Sequence, residues 1–145
     1  MVGTRSSELA FVSRQVAHSS RYTMGIQQRL QEIERTFGFA YPRSYLSSAE
    51  EFSSLVETER FQRIFPGARM LLSAADIAAA RESTSATLLP FMCEAQPSQS
   101  DIYAFDLASG GAEFRVVVWS DHAVVMEWEN FPAFFQWVRE KLVQG

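Results

Sequence analysis

The feature that most constrains this chain is a change, near residue 88, in the spacing of its apolar residues. Before that point they recur at the spacing of one helical face, as at Ile26, Leu30, Ile33 and Phe37. After it, apolar and polar residues alternate, which is typical of β-strands. This order predicts an α+β fold in which N-terminal helices and a C-terminal helix pack on a mostly antiparallel sheet formed by the C-terminal half.

Capping signals divide the helical half. Gly38 is placed to end the first clear helix in a left-handed conformation. Pro42 is expected to open a short segment, and residues 47–50 resemble a capping box that starts a separate helix. Ser73 is expected to begin another helix in the same way. Residues 1–20 are expected to form a helical extension, with an amphipathic pattern over residues 8–19.

Alternation in the second half predicts an antiparallel meander and a closing helix. Strands are predicted at residues 88–92, 101–107, 114–119 and 122–129. Pro90 places the first of these strands near a sheet edge, because proline cannot donate to a central ladder. The closing helix has Asn130 as its N-cap and one apolar stripe, formed by Phe131, Phe134, Phe135, Val138 and Leu142. With no repeat and no linker in the sequence, residues 1–145 are expected to form a single domain.

The central strands carry apolar residues on both faces. Val117, Trp119, Ala123 and Val125 alternate with the expected core residues and therefore lie on the opposite face. An apolar sheet face left fully in water is costly and prone to stick. We expect the N-terminal helices to cover part of it and the remainder to be available to a partner.

Charge is unevenly distributed along the chain. The formal net charge is −4, and residues 91–145 hold eight acidic residues against Arg115, Arg139 and Lys141. An acidic surface disfavours nucleic acid and favours basic protein partners. The arginines are scattered and form no stripe interleaved with aromatics, so no nucleic-acid partner is expected. The simpler interpretation, that the acidic residues keep the protein soluble, remains open.

The sequence also indicates the cellular compartment in which the protein is expected. A single cysteine, Cys93, excludes an internal disulfide and is expected to be a buried thiol. Residues 1–8 show no apolar run behind a basic patch, and no apolar stretch approaches the length of a bilayer span. We therefore expect a cytoplasmic protein without a membrane partner.

Few residues are candidates for chemistry. The two histidines, His18 and His122, are far apart in the sequence, and common nucleophile, phosphate-loop and zinc motifs are absent from it. Asp121 and His122, read as strand neighbours, would point to opposite faces. Glu127 and Glu129 would share one face of a strand. Two interpretations stay open: the pair binds a cation or an arginine, or it is simply part of a solvated face. We expect no catalytic residue, cofactor or metal; a hydrolase using Asp121 and His122 stays as an alternative.

The order of four motifs resembles the SUKH superfamily. Residues 33–45 are similar to its opening, in which a glutamate-bearing helix ends in Gly and is followed by Leu-Pro and an aromatic residue. Three later segments resemble its "D-x-aromatic-x-F-D" strand, its "v-w-x-h" strand and its terminal helix: 101–106, 117–122 and 130–138. Tyr41 replaces the usual leucine, and residues 47–56 replace a glycine-rich turn, which leaves the subfamily open.

The resemblance implies helices on a mostly antiparallel sheet, no catalysis and no cofactor. Bacterial members of the family are often immunity proteins that bind and neutralise a toxin, frequently a nuclease. Fungal relatives regulate cell-wall assembly through protein contacts. We therefore expect a cognate toxin with a basic surface as the partner. The alternative is a scaffold or adaptor of the SMI/KNR type that binds a host protein or a secretion-system protein.

Candidate partner-binding residues follow from this expectation. Carboxylates can occupy a basic nuclease site and accelerate the encounter, and tryptophans are frequent interface anchors. The tryptophans are otherwise candidates for the core, and the sequence leaves the binding face and the oligomeric state open. The candidates are Asp101, Asp106, Trp119, Asp121, Glu127, Trp128, Glu129 and Trp137.

Overall fold

A computed structural model describes residues 25–94 and 101–144. The helix predicted at 8–19, His18, and the loop predicted at 96–100 lie outside the described residues. Within them, five α-helices accompany one five-stranded sheet, so the predicted α+β class is confirmed.

The five strands lie side by side in the sheet in the order in which they occur in the sequence. The sheet order is β1-β2-β3-β4-β5, and every neighbouring pair is antiparallel. The helices are α1 (Ile26–Phe37), α2 (Arg43–Val56), α3 (Glu59–Ile64), α4 (Ala74–Glu82) and α5 (Phe131–Gln144). The strands are β1 (Arg69–Met70), β2 (Leu88–Cys93), β3 (Ile102–Asp106), β4 (Arg115–Ser120) and β5 (Ala123–Trp128).

The end of α1 follows the sequence prediction. Gly38 has φ 74° and its N–H donates to the Glu34 carbonyl, which is a left-handed helix end. The Glu34 carboxylate then accepts a hydrogen bond from the Tyr41 N–H at 2.7 Å. The same residue therefore anchors both the end of α1 and the approach to α2.

The predicted break at residues 47–50 is wrong, because α2 is one helix of 14 residues. Pro42 is its N-cap, not its first helical residue. Ser47 lies inside the helix, where its hydroxyl donates to the Ser44 carbonyl at 3.2 Å. A serine can bond to its own helix instead of capping a new one, and the sequence pattern does not distinguish the two.

The short helix α3 was missed by the sequence analysis. Its N-cap, Thr58, accepts a hydrogen bond from the Phe61 N–H at 3.2 Å. Six residues are too few to show helical periodicity, so this cap was the available signal. The cap predicted for α4 is confirmed, since Ser73 accepts from the Asp76 N–H at 3.1 Å.

Strand β2 lies next to the edge strand β1, in agreement with the position predicted from Pro90. The register of β2 against β3 shifts between Pro90 and Met92. This irregularity accommodates a residue that has no N–H to donate.

The main core is aromatic and lies between the sheet and the helices. Phe91 of β2 is 4.7 Å from Phe105 of β3, between ring centroids. Tyr45 of α2 is 5.0 Å from Phe131 of α5. All five residues of the stripe predicted for the closing helix are buried, which confirms that this helix covers the sheet. Such edge and tilted ring contacts add to the energy of apolar burial.

The opposite sheet face also carries buried apolar residues. Leu88, Ala104 and Val117 form a second cluster, and Trp119 packs against it. The predicted apolar character of this face is thus confirmed at Val117. Ala123 and Val125, placed on the same face by alternation, are exposed.

Two predictions for the last strand are wrong. His122 does not start it, because Asp121 (φ 52°) and His122 (φ 70°) form a two-residue turn between β4 and β5. Glu129 is not in the strand either, since β5 ends at Trp128. The strand-neighbour arguments for Asp121 with His122 and for Glu127 with Glu129 therefore do not apply.

Candidate functional site

Strand β5 is an edge of the sheet and is exposed along its length. Five of its six residues are exposed and the last, Trp128, is half-buried. Val124, Val125 and Met126 are 46%, 55% and 44% exposed, and we call these three side chains the edge patch. A run of three exposed apolar residues is unusual on a protein surface unless it serves binding.

A β-bulge explains why the edge patch does not follow simple alternation. Met126 pairs with Val118 and Val124 pairs with Trp119, which leaves Val125 as an extra residue in β5. Val118 and Trp119 are neighbours in β4 and point to opposite faces. Val124 and Met126 therefore lie on opposite faces, whereas regular alternation would place them on the same face, and the edge patch is accessible from both sides of the sheet.

Acidic residues lie at both ends of the edge patch. Asp121 is in the turn that precedes β5, and Glu127 and Glu129 follow the patch; all three are exposed. Glu127 forms an ion pair with Arg115 of β4 at 3.7 Å, but both side chains are more than half exposed. Such exposed pairs contribute little and open easily, so Glu127 remains available to a competing cation.

The three candidate tryptophans are all half-buried and connect this edge to the core. Trp128 is 5.0 Å from Phe134 and 4.9 Å from Trp137 of α5, between ring centroids. Lys141 places its ammonium 5.6 Å from the Trp137 ring. Trp119 packs against the second cluster. These rings are partly structural, and their exposed portions extend the apolar surface around β5.

The structure places the candidate aspartates Asp101 and Asp106 at opposite ends of β3. Asp106 pairs with Arg115 at one end of the sheet, whereas Asp101 precedes Ile102 at the other end. The Asp106 carboxylate accepts from the Ala108 N–H at 3.0 Å and so caps a short 3₁₀ turn. The eight candidates therefore do not form one cluster. Five of them, Trp119, Asp121, Glu127, Trp128 and Glu129, lie in the β4–β5 hairpin or directly follow it in the chain, and a sixth, Trp137, packs against Trp128.

Glu94 lies beside the Asp101 end of the sheet in a partly dry environment. Its carboxylate accepts a hydrogen bond from the Tyr103 hydroxyl at 2.7 Å. Burial raises the pKa of the Glu94 carboxyl, the hydrogen bond from Tyr103 opposes this, and the nearby Asp101 adds to the increase. Burial and the Glu94 hydrogen bond also raise the pKa of the Tyr103 hydroxyl.

The remaining candidates for chemistry from the sequence are Cys93 and the pair of Asp121 and His122. Cys93 is buried, as predicted, and burial raises the pKa of its thiol. Asp121 and His122 are exposed in their turn. No group of three or more His, Cys, Asp or Glu residues is placed to hold a metal ion within residues 25–94 and 101–144.

A groove of about 640 Å³ lies on the surface of α1 and α2, away from β5. It is lined by Gln27, Glu34, Tyr41, Arg43 and Glu50, among others. Its lining is already engaged in the fold, since Glu34 holds the Tyr41 N–H and Gln27 donates to the Leu46 carbonyl at 2.7 Å. The exposed edge of β5 is the better candidate for a binding surface.

One feature of the candidate surface and one structural contact were missed by the sequence analysis. The edge patch was read as ordinary alternation, although three consecutive apolar residues, Val124, Val125 and Met126, were the visible signal. Glu113 was not singled out, and its carboxylate accepts from the Ser44 N–H at 3.3 Å and from the Ser44 hydroxyl. Glu113 thereby caps α2 from the loop before β4, and no sequence pattern links residues so far apart.

Searches with protein-family models, among curated proteins and among solved structures found no significant match to this chain. No helix in the described residues is both long and apolar enough to cross a membrane.

Proposed function

We propose that this chain is a non-enzymatic protein-binding domain of the immunity-protein type, which neutralises a bacterial toxin by binding it directly. The observation that carries the proposal is the edge patch of β5, exposed and flanked by acidic residues at both ends. An apolar centre with a charged rim is the usual composition of a protein interface.

The charge of this surface sets the kind of partner. Asp121, Glu127 and Glu129 surround the edge patch, and Arg115 is a basic neighbour that Glu127 already engages. A basic protein surface therefore complements it, and opposite charges accelerate association. Nucleases carry such surfaces because they bind phosphate, which makes a nuclease toxin the partner that this charge suits best.

The resemblance to the SUKH superfamily adds to the proposal from an independent direction. That family contains toxin-immunity proteins, and its members have the same combination of helices and antiparallel sheet. We propose membership on the order of motifs along residues 33–138, together with the α+β fold. The absence of a catalytic motif from the sequence agrees with a role exerted through binding.

Affinity capture from the source cells tests the proposal. The tagged protein should recover one toxin-like protein in stoichiometric amount, and that protein should elute with rising salt concentration. Co-expression should then protect a host from the toxicity of the recovered protein. Recovery of a housekeeping or envelope protein that has no toxicity would contradict the immunity role.

A matched pair of charge reversals tests the surface. Asp121→Lys with Glu129→Lys should weaken capture of the recovered toxin and reduce protection. The control is Glu57→Lys with Glu82→Lys, which reverses two exposed charges at the ends of α2 and α4. A lysine is tolerated at the C-terminal end of a helix, so this control should fold and bind normally.

A further inference from the structure

Strand β5 has few of the features that usually prevent edge strands from pairing. An edge strand presents a row of unpaired backbone N–H and C=O groups, and proteins protect such edges with lysine, proline, inward-facing charges or a short strand. Over its six residues β5 has no lysine and no proline, and its single charged residue, Glu127, faces solvent. The bulge at Val125 is the one protective device that β5 does have.

We propose that the partner binds by adding a strand to the outer edge of β5, and that this strand is apolar in its middle and basic at its ends. This inference rests on the proposed protein-binding function and specifies its geometry. Backbone hydrogen bonds to an edge strand supply affinity, and side-chain contacts supply specificity. Here the edge patch would contact the apolar middle of the added strand, and the three acidic residues would contact its ends.

The bulge fixes where the added ladder can run. Pairing of β5 with β4 is regular from Met126 to Trp128, and it is interrupted at Val125. An added strand therefore has a regular backbone to pair with at Met126, Glu127 and Trp128. Beyond the bulge, the strand bends, and contact with Val124 and Val125 is through side chains.

Charge argues against a second copy of this chain as the occupant. A twofold antiparallel pairing that superimposes the two edge patches would place Val125 near the symmetry axis. It would then bring Asp121 of one copy toward Glu129 of the other at both ends, with no basic residue of β5 to compensate. Like charges opposite each other destabilise strand pairs, so the same acidic residues that attract a basic strand repel a copy of β5.

The test uses three synthetic peptides and the full-length protein. The first is Lys-Lys-Val-Thr-Val-Thr-Val-Lys-Lys, the second replaces its lysines by glutamates, and the third is the first with N-methyl groups on the backbone amides of all five central residues, which blocks both of its edges. Binding is followed by backbone-amide NMR, and hydrogen exchange reports which amides become protected. We expect the first peptide to bind at least about tenfold more tightly than either control, because both charge and backbone pairing contribute to its affinity. Its binding should also slow hydrogen exchange of the β5 amides.

Three outcomes would overturn strand addition. One is equal binding of the basic and the N-methylated peptides, and another is protection confined to residues outside β5. The third is protection of β5 that grows with protein concentration in the absence of peptide, which would make a second copy the occupant. If none of the peptides binds but Asp121→Lys with Glu129→Lys still abolishes toxin capture, strand addition is overturned while the protein-binding function stands.

Discussion

The indole of Trp128 at the end of β5 packs against that of Trp137 on α5, with ring centroids 4.9 Å apart. Trp137 in turn lies 5.9 Å from Phe65, and Trp128 lies 5.0 Å from Phe134. Through these contacts the exposed edge strand is fixed to the aromatic core. The proposed binding surface is therefore preorganised, which reduces the entropy lost on binding.

Truncation of Trp128 measures how much this anchoring contributes. Trp128→Ala should lower the free energy of unfolding by about 3 kcal/mol, because it removes contacts with two aromatic rings. Trp128→Phe should recover most of the loss. Urea denaturation checks both, and a loss below about 1 kcal/mol in the alanine variant would show that β5 is not held by this contact.

The cap that Glu113 provides for α2 can be isolated by a double-mutant cycle. Glu113→Ala should destabilise the protein by about 1 kcal/mol, since the Ser44 N–H and hydroxyl lose their acceptor. Ser44→Ala tests the partner, and the double variant gives the coupling energy. Strictly additive losses from the two single substitutions would contradict the contact.

The β4–β5 turn is predicted to be strained at its second residue. His122 has φ 70°, a region that glycine adopts without cost and other residues adopt at about 1 kcal/mol or more. His122→Gly should therefore stabilise the protein, and His122→Val should destabilise it, because a β-branched side chain fits this region worst. Midpoints of urea unfolding give the order Gly, His, Val; any other order would contradict the turn.

The raised pKa of Glu94 gives a prediction for pH. Since the folded-state pKa of this carboxyl lies above its usual 4.5, its contribution to stability is fully present below 4.5 and is lost as pH rises through the folded value. Glu94→Gln stays neutral, so its stability relative to the wild-type protein should increase as pH rises through this range. Urea unfolding between about pH 4 and pH 7 checks this, and a constant or falling difference would contradict it.

Much of the fold could be predicted because local signals and global packing agree. Three features depend only on residues that are close in sequence: the apolar spacing of α1, its left-handed end at Gly38 and the buried stripe of α5. The errors arose where the local signal was ambiguous. Ser47 resembles a cap but lies within a helix, and α3 is too short to show a period.

The candidate surface could be predicted only in part. Sequence alone identified the hairpin residues Trp119, Asp121, Glu127, Trp128 and Glu129 as candidates. It could not show that β5 is an edge strand, because strand order depends on pairing between distant segments. Nor could it place the bulge at Val125, since register is set by the partner strand.

One substitution tests the central claim, that the edge patch of β5 binds the partner, most directly. Val125→Lys introduces a charge of the partner's own sign into the edge patch at a position 55% exposed, so the fold should tolerate it. Val143→Lys is the matched control, at a position 81% exposed near the end of α5, where a lysine is tolerated. The measurement is recovery of the toxin that the wild-type protein captures. Loss of recovery with Val125→Lys and normal recovery with Val143→Lys is the predicted result, and full recovery with Val125→Lys would contradict the claim.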